Sequence, residues 1–221
     1  MGIGFTKHKV LPKVYALLFD SRYEMSMHFV RYQERYESDD NRFFNKPFRL
    51  LDLMSAYAKK DGEDCFVYPR DVLGFNIPTS VIYEQDKDFV EPPNRYDATM
   101  YAVADSLPVN SYLIGVLKGD TASLSHEIAH ALYYTDFQYR GEMIRLFLEL
   151  PKKAKTLFHK FLKECGYHRR VWLDEIQAFM ATGVKGYFTP AQTKYLQRYR
   201  GPFVRIFREH SRNAKVPKKK R

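Results

Sequence analysis

The sequence predicts an α+β fold: a mixed N-terminal half with a few strands, then a mostly helical C-terminal half. Three observations carry this. Residues 65–95 are cut into short apolar pieces by Pro69, Gly74, Pro78, Pro92 and Pro93, a spacing that suits short elements and turns. Tyr112-Leu-Ile-Gly-Val-Leu117 is an unbroken apolar run closed by Lys118-Gly119-Asp120, the pattern of a strand. Beyond it, apolar residues recur at helical spacing, with breaks at Gly166, Gly183-Val-Lys-Gly186 and Thr189-Pro190.

Taken in order, Val10 to Phe19 is apolar with Pro12 near its front, and reads as a strand or the opening of a helix. From Ser21, the spacing of Tyr23, Met27, Val30 and Tyr36 predicts a helix that ends in Glu37-Ser-Asp-Asp-Asn41. Phe48 to Lys60 predicts a second helix, stopped by Asp61-Gly62. Thr79-Ser-Val-Ile-Tyr83 reads as a strand and residues 97–104 as a short helix. After the strand at 112–117, Asp120 or Thr121 caps a helix through SLSHEIAHALYYT, residues 123–135. Further helices are expected at about 141–165, 171–183 and 190–211.

The 221 residues suit one domain, expected over 1–213 with a motif core at 112–183 and a basic disordered tail at 214–221. Hydrophobic residues are 45% and aromatic residues 16%, enough for a sizeable core, which excludes global disorder. The formal charge is +10, but five of the positive charges lie in the last seven residues. Half of the net charge therefore belongs to the tail; the body is mildly basic, and an acidic partner is possible but not required. Cys65 and Cys165 form no CxxC and read as free thiols. No run is long and apolar enough to span a membrane. A cytoplasmic location is expected, with the terminal Pro-Lys-Lys-Lys-Arg resembling a nuclear-import signal in a eukaryotic host. Gly2 and Thr6 match a loose myristoylation pattern.

One stretch carries chemistry. In Ser125-His126-Glu127-Ile128-Ala129-His130, two histidines stand four apart on a helix, about 6 Å of rise and about 40° of rotation. Both rings can reach one ion at about 2.0–2.1 Å. Glu127 points toward the same cleft but is displaced from the ion, where it can act as a general base on water. A zinc site of this kind takes three protein ligands. Candidates for the third are Asp136, Glu142 and Glu175. Glu175 is preferred: it sits in Trp172-Leu-Asp-Glu-Ile-Gln-Ala-Phe-Met-Ala-Thr-Gly183, an amphipathic segment in which Ala178 allows close helix approach. Asp174 is placed as an acceptor for a ligand histidine N–H.

SLSHEIAHALYY followed by DEIQAFMATG resembles the zincin metallopeptidases, in their glutamate-liganded branch. The resemblance covers residues 112–183 and implies a Zn2+ ion held by His126, His130 and Glu175, with Glu127 as base and a peptide or protein substrate. It also implies that the strand before the helix, Tyr112–Leu117, pairs at a sheet edge with an extended peptide; an internal core strand is the other reading. Phe179 stands where thermolysin-like enzymes carry an aspartate. Tyr133, Tyr134, Tyr139, His168 and Tyr187 are candidate oxyanion donors.

Two other readings stand beside it. One is a nucleic-acid-associated protein using the basic tail and the lysine-rich face at Lys152–Lys163. The other is a metallopeptidase fold serving only as a binding module.

Overall fold

A computed structural model describes residues 4–60, 65–87 and 90–216. The Gly2 pattern, the Asp61-Gly62 stop and the terminal PKKKR lie outside these residues. The fold is α+β, as expected. Four strands, β1 (Phe5–Leu11), β2 (Val14–Phe19), β3 (Gly74–Pro78) and β4 (Tyr112–Leu117), form one sheet in the order β1-β2-β4-β3. β2 and β4 run parallel; the two outer pairs are antiparallel.

Side-chain alternation along the strands divides the core in two. Val14, Ala16 and Leu18 of β2, with Tyr112, Ile114 and Val116 of β4, face one helical layer. That layer is built from α6 (Thr121–Thr135), α7 (Phe137–Glu149), α8 (Lys152–Glu164), α9 (Trp172–Thr182) and α10 (Pro190–Ser211). Leu17, Phe19, Leu113, Phe75 and Ile77 face the other. Its helices are α1 (Arg22–Glu37), α2 (Leu50–Lys60), α3 (Tyr68–Asp71), α4 (Thr79–Lys87) and α5 (Arg95–Asp105).

Several boundaries follow from local chemistry. Ser21 caps α1 by accepting from Glu24 N–H, and Asn94 with Asp97 forms a capping box on α5. Of the two caps expected for α6, Asp120 is used, accepting from Ser123 N–H at 3.0 Å. Asp136 ends α6 and caps α7, accepting from Gln138 and Tyr139 N–H. Thr189 and Gln192 make a second capping box at α10, with Pro190 in its first turn.

Four expectations need correction. Val10–Phe19 is neither one strand nor a helix opening: the chain reverses at Pro12-Lys13, with Lys13 at φ 59°, and makes a β1–β2 hairpin. Thr79–Tyr83 is not a strand but the start of α4; the strand is Gly74–Pro78 just before it. The β-branched residues there favoured a strand, but Val81 and Ile82 sit one beside the other on a helix packed into the core, and tertiary burial overrides that preference. The expected helix at 141–165 is two, α7 and α8, because Pro151 cannot supply an N–H to continue the first. Finally, β4 is not at a sheet edge; it lies between β2 and β3.

The edge beside α6 is β3. Thr79 N–H donates inward to Ser111 O at 2.9 Å, whereas Asn76 N–H donates to the Gln33 side chain at 3.3 Å. Main-chain groups alternate in direction along a strand, so Gly74, Asn76 and Pro78 turn theirs away from β4, where Asn76 and Pro78 are buried and Gly74 is half-buried. At the far side of the sheet, Lys215 N–H donates to Val10 O at 2.9 Å, fastening the first residues of the expected tail to β1.

Candidate metal centre

The helix α6 crosses α9 where both are small. Ala129, Ala131, Ala178 and Ala181 are buried at or near this crossing, and Gln177 Nε2 donates across it to Ala129 O at 3.2 Å. Tyr139 OH in turn donates to Gln177 Oε1 at 2.7 Å. These contacts lock α9 at a fixed height against the histidine turn of α6.

The result is a convergence of three side chains. His126 Nε2 and His130 Nε2 are 3.2 Å apart. Glu175 Oε2 is 3.8 Å from the first, and Glu175 Oε1 is 3.7 Å from the second. With one donor atom per residue, all three lie within 4.8 Å of one another. Tetrahedral ligands about 2.1 Å from zinc are separated by about 3.4 Å, so the two histidine nitrogens need to part slightly and the carboxylate to move slightly inward to hold such an ion. Neither Asp136 nor Glu142 joins it; both face His210, at 2.8 and 3.7 Å.

Ring tautomers can be argued from the neighbours. Thr182 Oγ1 donates its proton to Ala178 O at 2.7 Å, so toward His126 Nδ1, 3.2 Å away, it can only accept. Asp174 Oδ1 lies 2.9 Å from His130 Nδ1, out of line for a hydrogen bond, but its charge favours a proton on that nitrogen. Both rings then carry their proton on Nδ1 and turn Nε2 lone pairs toward one point. In that pair of tautomers the two lone pairs meet at 3.2 Å and repel unless a proton or a metal ion sits between them. Glu175 Oε2, buried and without a hydrogen-bond partner, faces the same point. A cation resolves both defects, so the donor set fits a metal ion. Thr182 and Asp174 between them orient both rings, and Phe179 instead packs its ring 4.8 Å from that of His126.

The electrostatics agree in sign. Burial disfavours a charged His130, but Asp174 and Glu175 outweigh it and hold the imidazole well above its usual range. Burial would raise Glu175, but His130 and His126 hold it below the usual carboxylate range. The centre thus draws positive charge, whether proton or metal.

Glu127 lies beside the triad and not in it. Burial pushes its carboxyl above the usual range, against the pull of His126 and His130. Asn76 Nδ2 donates to its Oε2 at 2.8 Å, and Tyr112 OH donates to Asn76 Oδ1. Across from it, Gly74 is required by space: a Cβ there would collide with Glu127 Oε1 and stand 3.1 Å from Cδ.

The triad opens into a cavity of about 550 Å3. Of the five proposed oxyanion donors, only Tyr187 lines it. Tyr139 is buried against Gln177, Tyr134 packs on Tyr112, and His168 stacks on Phe44. Tyr133 is packed against the helical core. Sequence reasoning missed Tyr167, Glu37 and Asn76, all in the cavity wall. The Glu175 carboxylate, with burial, pushes the Tyr167 phenol well above 10, so it remains a donor. Glu37, from α1, is buried; burial and the nearby Glu175 carboxylate raise it well above the usual range. Only the acidic Glu37-Ser-Asp-Asp run hinted at it, and that run reads equally as a helix end. Three lysines of the expected basic face have local partners: Lys153 lies over Tyr195, Lys155 over Phe147, and Lys160 pairs with Glu164. Cys65 and Cys165 are free, and no helix among the described residues is long and apolar enough to cross a membrane.

Compared with known proteins, the chain matches no family model, no curated protein and no solved structure.

Proposed function

We propose that the protein is a zinc-dependent hydrolase that cleaves peptide bonds. The observation that carries the reading is the pairing of a three-residue cation site with a separate, anchored carboxylate: His126, His130 and Glu175 converge, while Asn76 holds Glu127 beside them and out of the ligand set. A divalent ion held by the three would supply Lewis-acid chemistry, polarising a scissile carbonyl and acidifying water.

The remaining work falls to the chain. Glu127 Oε1, the oxygen not engaged by Asn76, takes a proton from water in the cavity and passes it to the leaving amine. A carboxyl raised by burial is suited to holding that proton between the two steps. Tyr167 and Tyr187, both in the cavity wall, are the phenol donors placed to stabilise a developing oxyanion. A peptide pairs with the outer edge of β3 at its half-buried end, beside Gly74, which also lines the cavity. Pro78 has no N–H and ends the pairing ladder.

The test uses zinc-loaded protein and a quenched fluorescent peptide library. Wild type is expected to cleave. Glu127→Gln is expected to retain zinc and lose turnover by about 10²–10⁴-fold. A Glu127→Gln protein as active as wild type removes the base assignment. A zinc-loaded wild type that cleaves nothing removes the peptidase reading and leaves a binding module.

A further inference from the structure

The 22-residue helix α10 carries a row of cations along its outer side. Lys194, Arg198, Arg205 and Arg208, with Arg212 at the C-cap, are all exposed. At 3.6 residues per turn they fall within about 80° of arc and extend over about 27 Å. Gly201 stands in the same row, with open space where a Cβ would be. An open hollow of about 550 Å3 runs from Gly201 along Arg205, Arg208 and Arg212. Among the described residues, none of the five cations makes an ion pair. Exposed arginines elsewhere do: Arg42 with Asp40, Arg49 with Asp52, Arg70 with Asp71 and Arg95 with Glu24. Glu209, the one acid of the helix, lies at the side of the row and pairs with none of them. Like charges three and four residues apart oppose a helix. The helix dipole favours cations in the last turn, which accounts for Arg208 but not for Lys194 or Arg198. The other side of α10 puts Leu196, Phe203 and Ile206 into the core. No large apolar residue of α10 is exposed, so nothing is left to enter a bilayer. Tyr195 and Tyr199 pack on each other and on the core, with Lys153 over Tyr195, so they offer no open face on which single-stranded bases would stack. A long row of cations without acid partners fits a rigid, evenly charged polyanion. Duplex DNA carries one phosphate charge per about 1.7 Å of its axis, and about 27 Å spans about eight base pairs.

We infer that α10 docks on the phosphate backbone of double-stranded DNA through Lys194, Arg198, Arg205, Arg208 and Arg212. Four of the five are arginines, whose planar fork matches phosphate oxygens. Contacts of this kind position the protein without reading base sequence. Past Arg212, Lys215 N–H holds the chain to Val10 O, and the sequence continues as Lys215-Val-Pro-Lys-Lys-Lys-Arg221, so positive charge extends beyond the row. None of the five lines the cavity of the candidate metal centre, so the two surfaces are separate and the inference does not depend on what the cleft does.

The experiment measures binding of the full chain to a labelled DNA duplex of about 20 base pairs, by fluorescence anisotropy over a range of salt. Five phosphate contacts contribute a slope of about −4.5 in log K against log salt. Arg198→Gln/Arg205→Gln/Arg212→Gln is expected to flatten the slope by about 2.7 and to weaken binding about 100-fold at about 0.1 M salt. The same three positions changed to lysine are expected to keep the slope, because the charge is kept. A charge-matched control, Arg49→Gln/Arg70→Gln/Lys118→Gln, removes three exposed cations outside the row and is expected to leave the slope unchanged. Thermal melts by circular dichroism check that each variant is folded. Duplexes of two unrelated sequences are expected to bind alike. No duplex binding, a slope that survives the glutamine substitutions in the row, or equal losses in the row and control variants overturns the inference. So does binding to single-stranded DNA, or to vesicles of phosphatidylserine and phosphatidylcholine, that is as tight as binding to the duplex.

Discussion

Asn76 on β3 and Glu127 on α6 are joined by a 2.8 Å hydrogen bond across 51 residues of sequence. Tyr112 OH fixes the amide by donating to its oxygen, so the nitrogen must point at the carboxylate. The bond favours the ionised form of Glu127.

Asn76→Leu removes that support and leaves Tyr112 OH without its acceptor. A loss of about 1–3 kcal/mol in stability is expected by denaturant titration. The Glu127 pKa rises, because a bond to its charged form is lost. The acid limb of kcat/KM for the zinc-loaded enzyme therefore moves to higher pH. An acid limb that stays in place would show that Asn76 does not tune the base.

Gly74 and Gly141 make a matched pair. Gly74→Ala pushes a methyl into the Glu127 carboxyl and is expected to cost about 1–3 kcal/mol with loss of turnover. Gly141 sits within α7 with nothing near its added Cβ, so Gly141→Ala gains about 0.5–1 kcal/mol from helix propensity. Thermal melts of the two proteins read both signs; a stabilised Gly74→Ala would contradict the close approach of strand and base.

Metal binding and proton release are coupled at His130. Asp174 and Glu175 raise its pKa in spite of burial, which favours a proton on the metal-free ring. Zinc must displace that proton. Titration calorimetry in buffers of different ionisation enthalpy is expected to show proton release at pH 7. Stoichiometry should be one zinc per chain, lost in His126→Ala and in Glu175→Gln. At 100 times Kd, zinc stabilises wild type by about 2.7 kcal/mol. Binding with no proton release would place the ion elsewhere.

His28 supplies a pH dependence remote from the metal. Burial among Phe5, Phe19 and Tyr96 lowers its pKa below 6.5, against the Glu24 carbonyl, which raises it. With the folded pKa depressed, the unfolded chain binds the extra proton first. The stability is present above about pH 6.5 and is lost as pH falls toward the folded pKa. Between pH 7.5 and 5 the denaturation midpoint of wild type is expected to fall relative to that of His28→Phe. Parallel slopes in the two proteins would remove His28 as the cause.

The chain's own pattern determined the helical second half, β4, α1, α2 and α5, and picked out the three residues of the candidate cation site. Helical spacing alone puts His126 and His130 on one side, because four residues return nearly one full turn. It also marked Glu175 as a candidate, through the apolar stripe that must bury its helix. What the sequence left open is everything that depends on distance across elements. Strand order made β3, not β4, the edge, because pairing partners are chosen by the packed sheet and not by neighbours in sequence. The height at which α9 crosses α6 decided that Glu175 enters the triad while Asp136 and Glu142 face His210. Asn76, Glu37 and Tyr167 reach the cavity from separate segments with no shared spacing. Local periodicity reports which side of an element is buried; only the packing of elements against one another says what that side will meet.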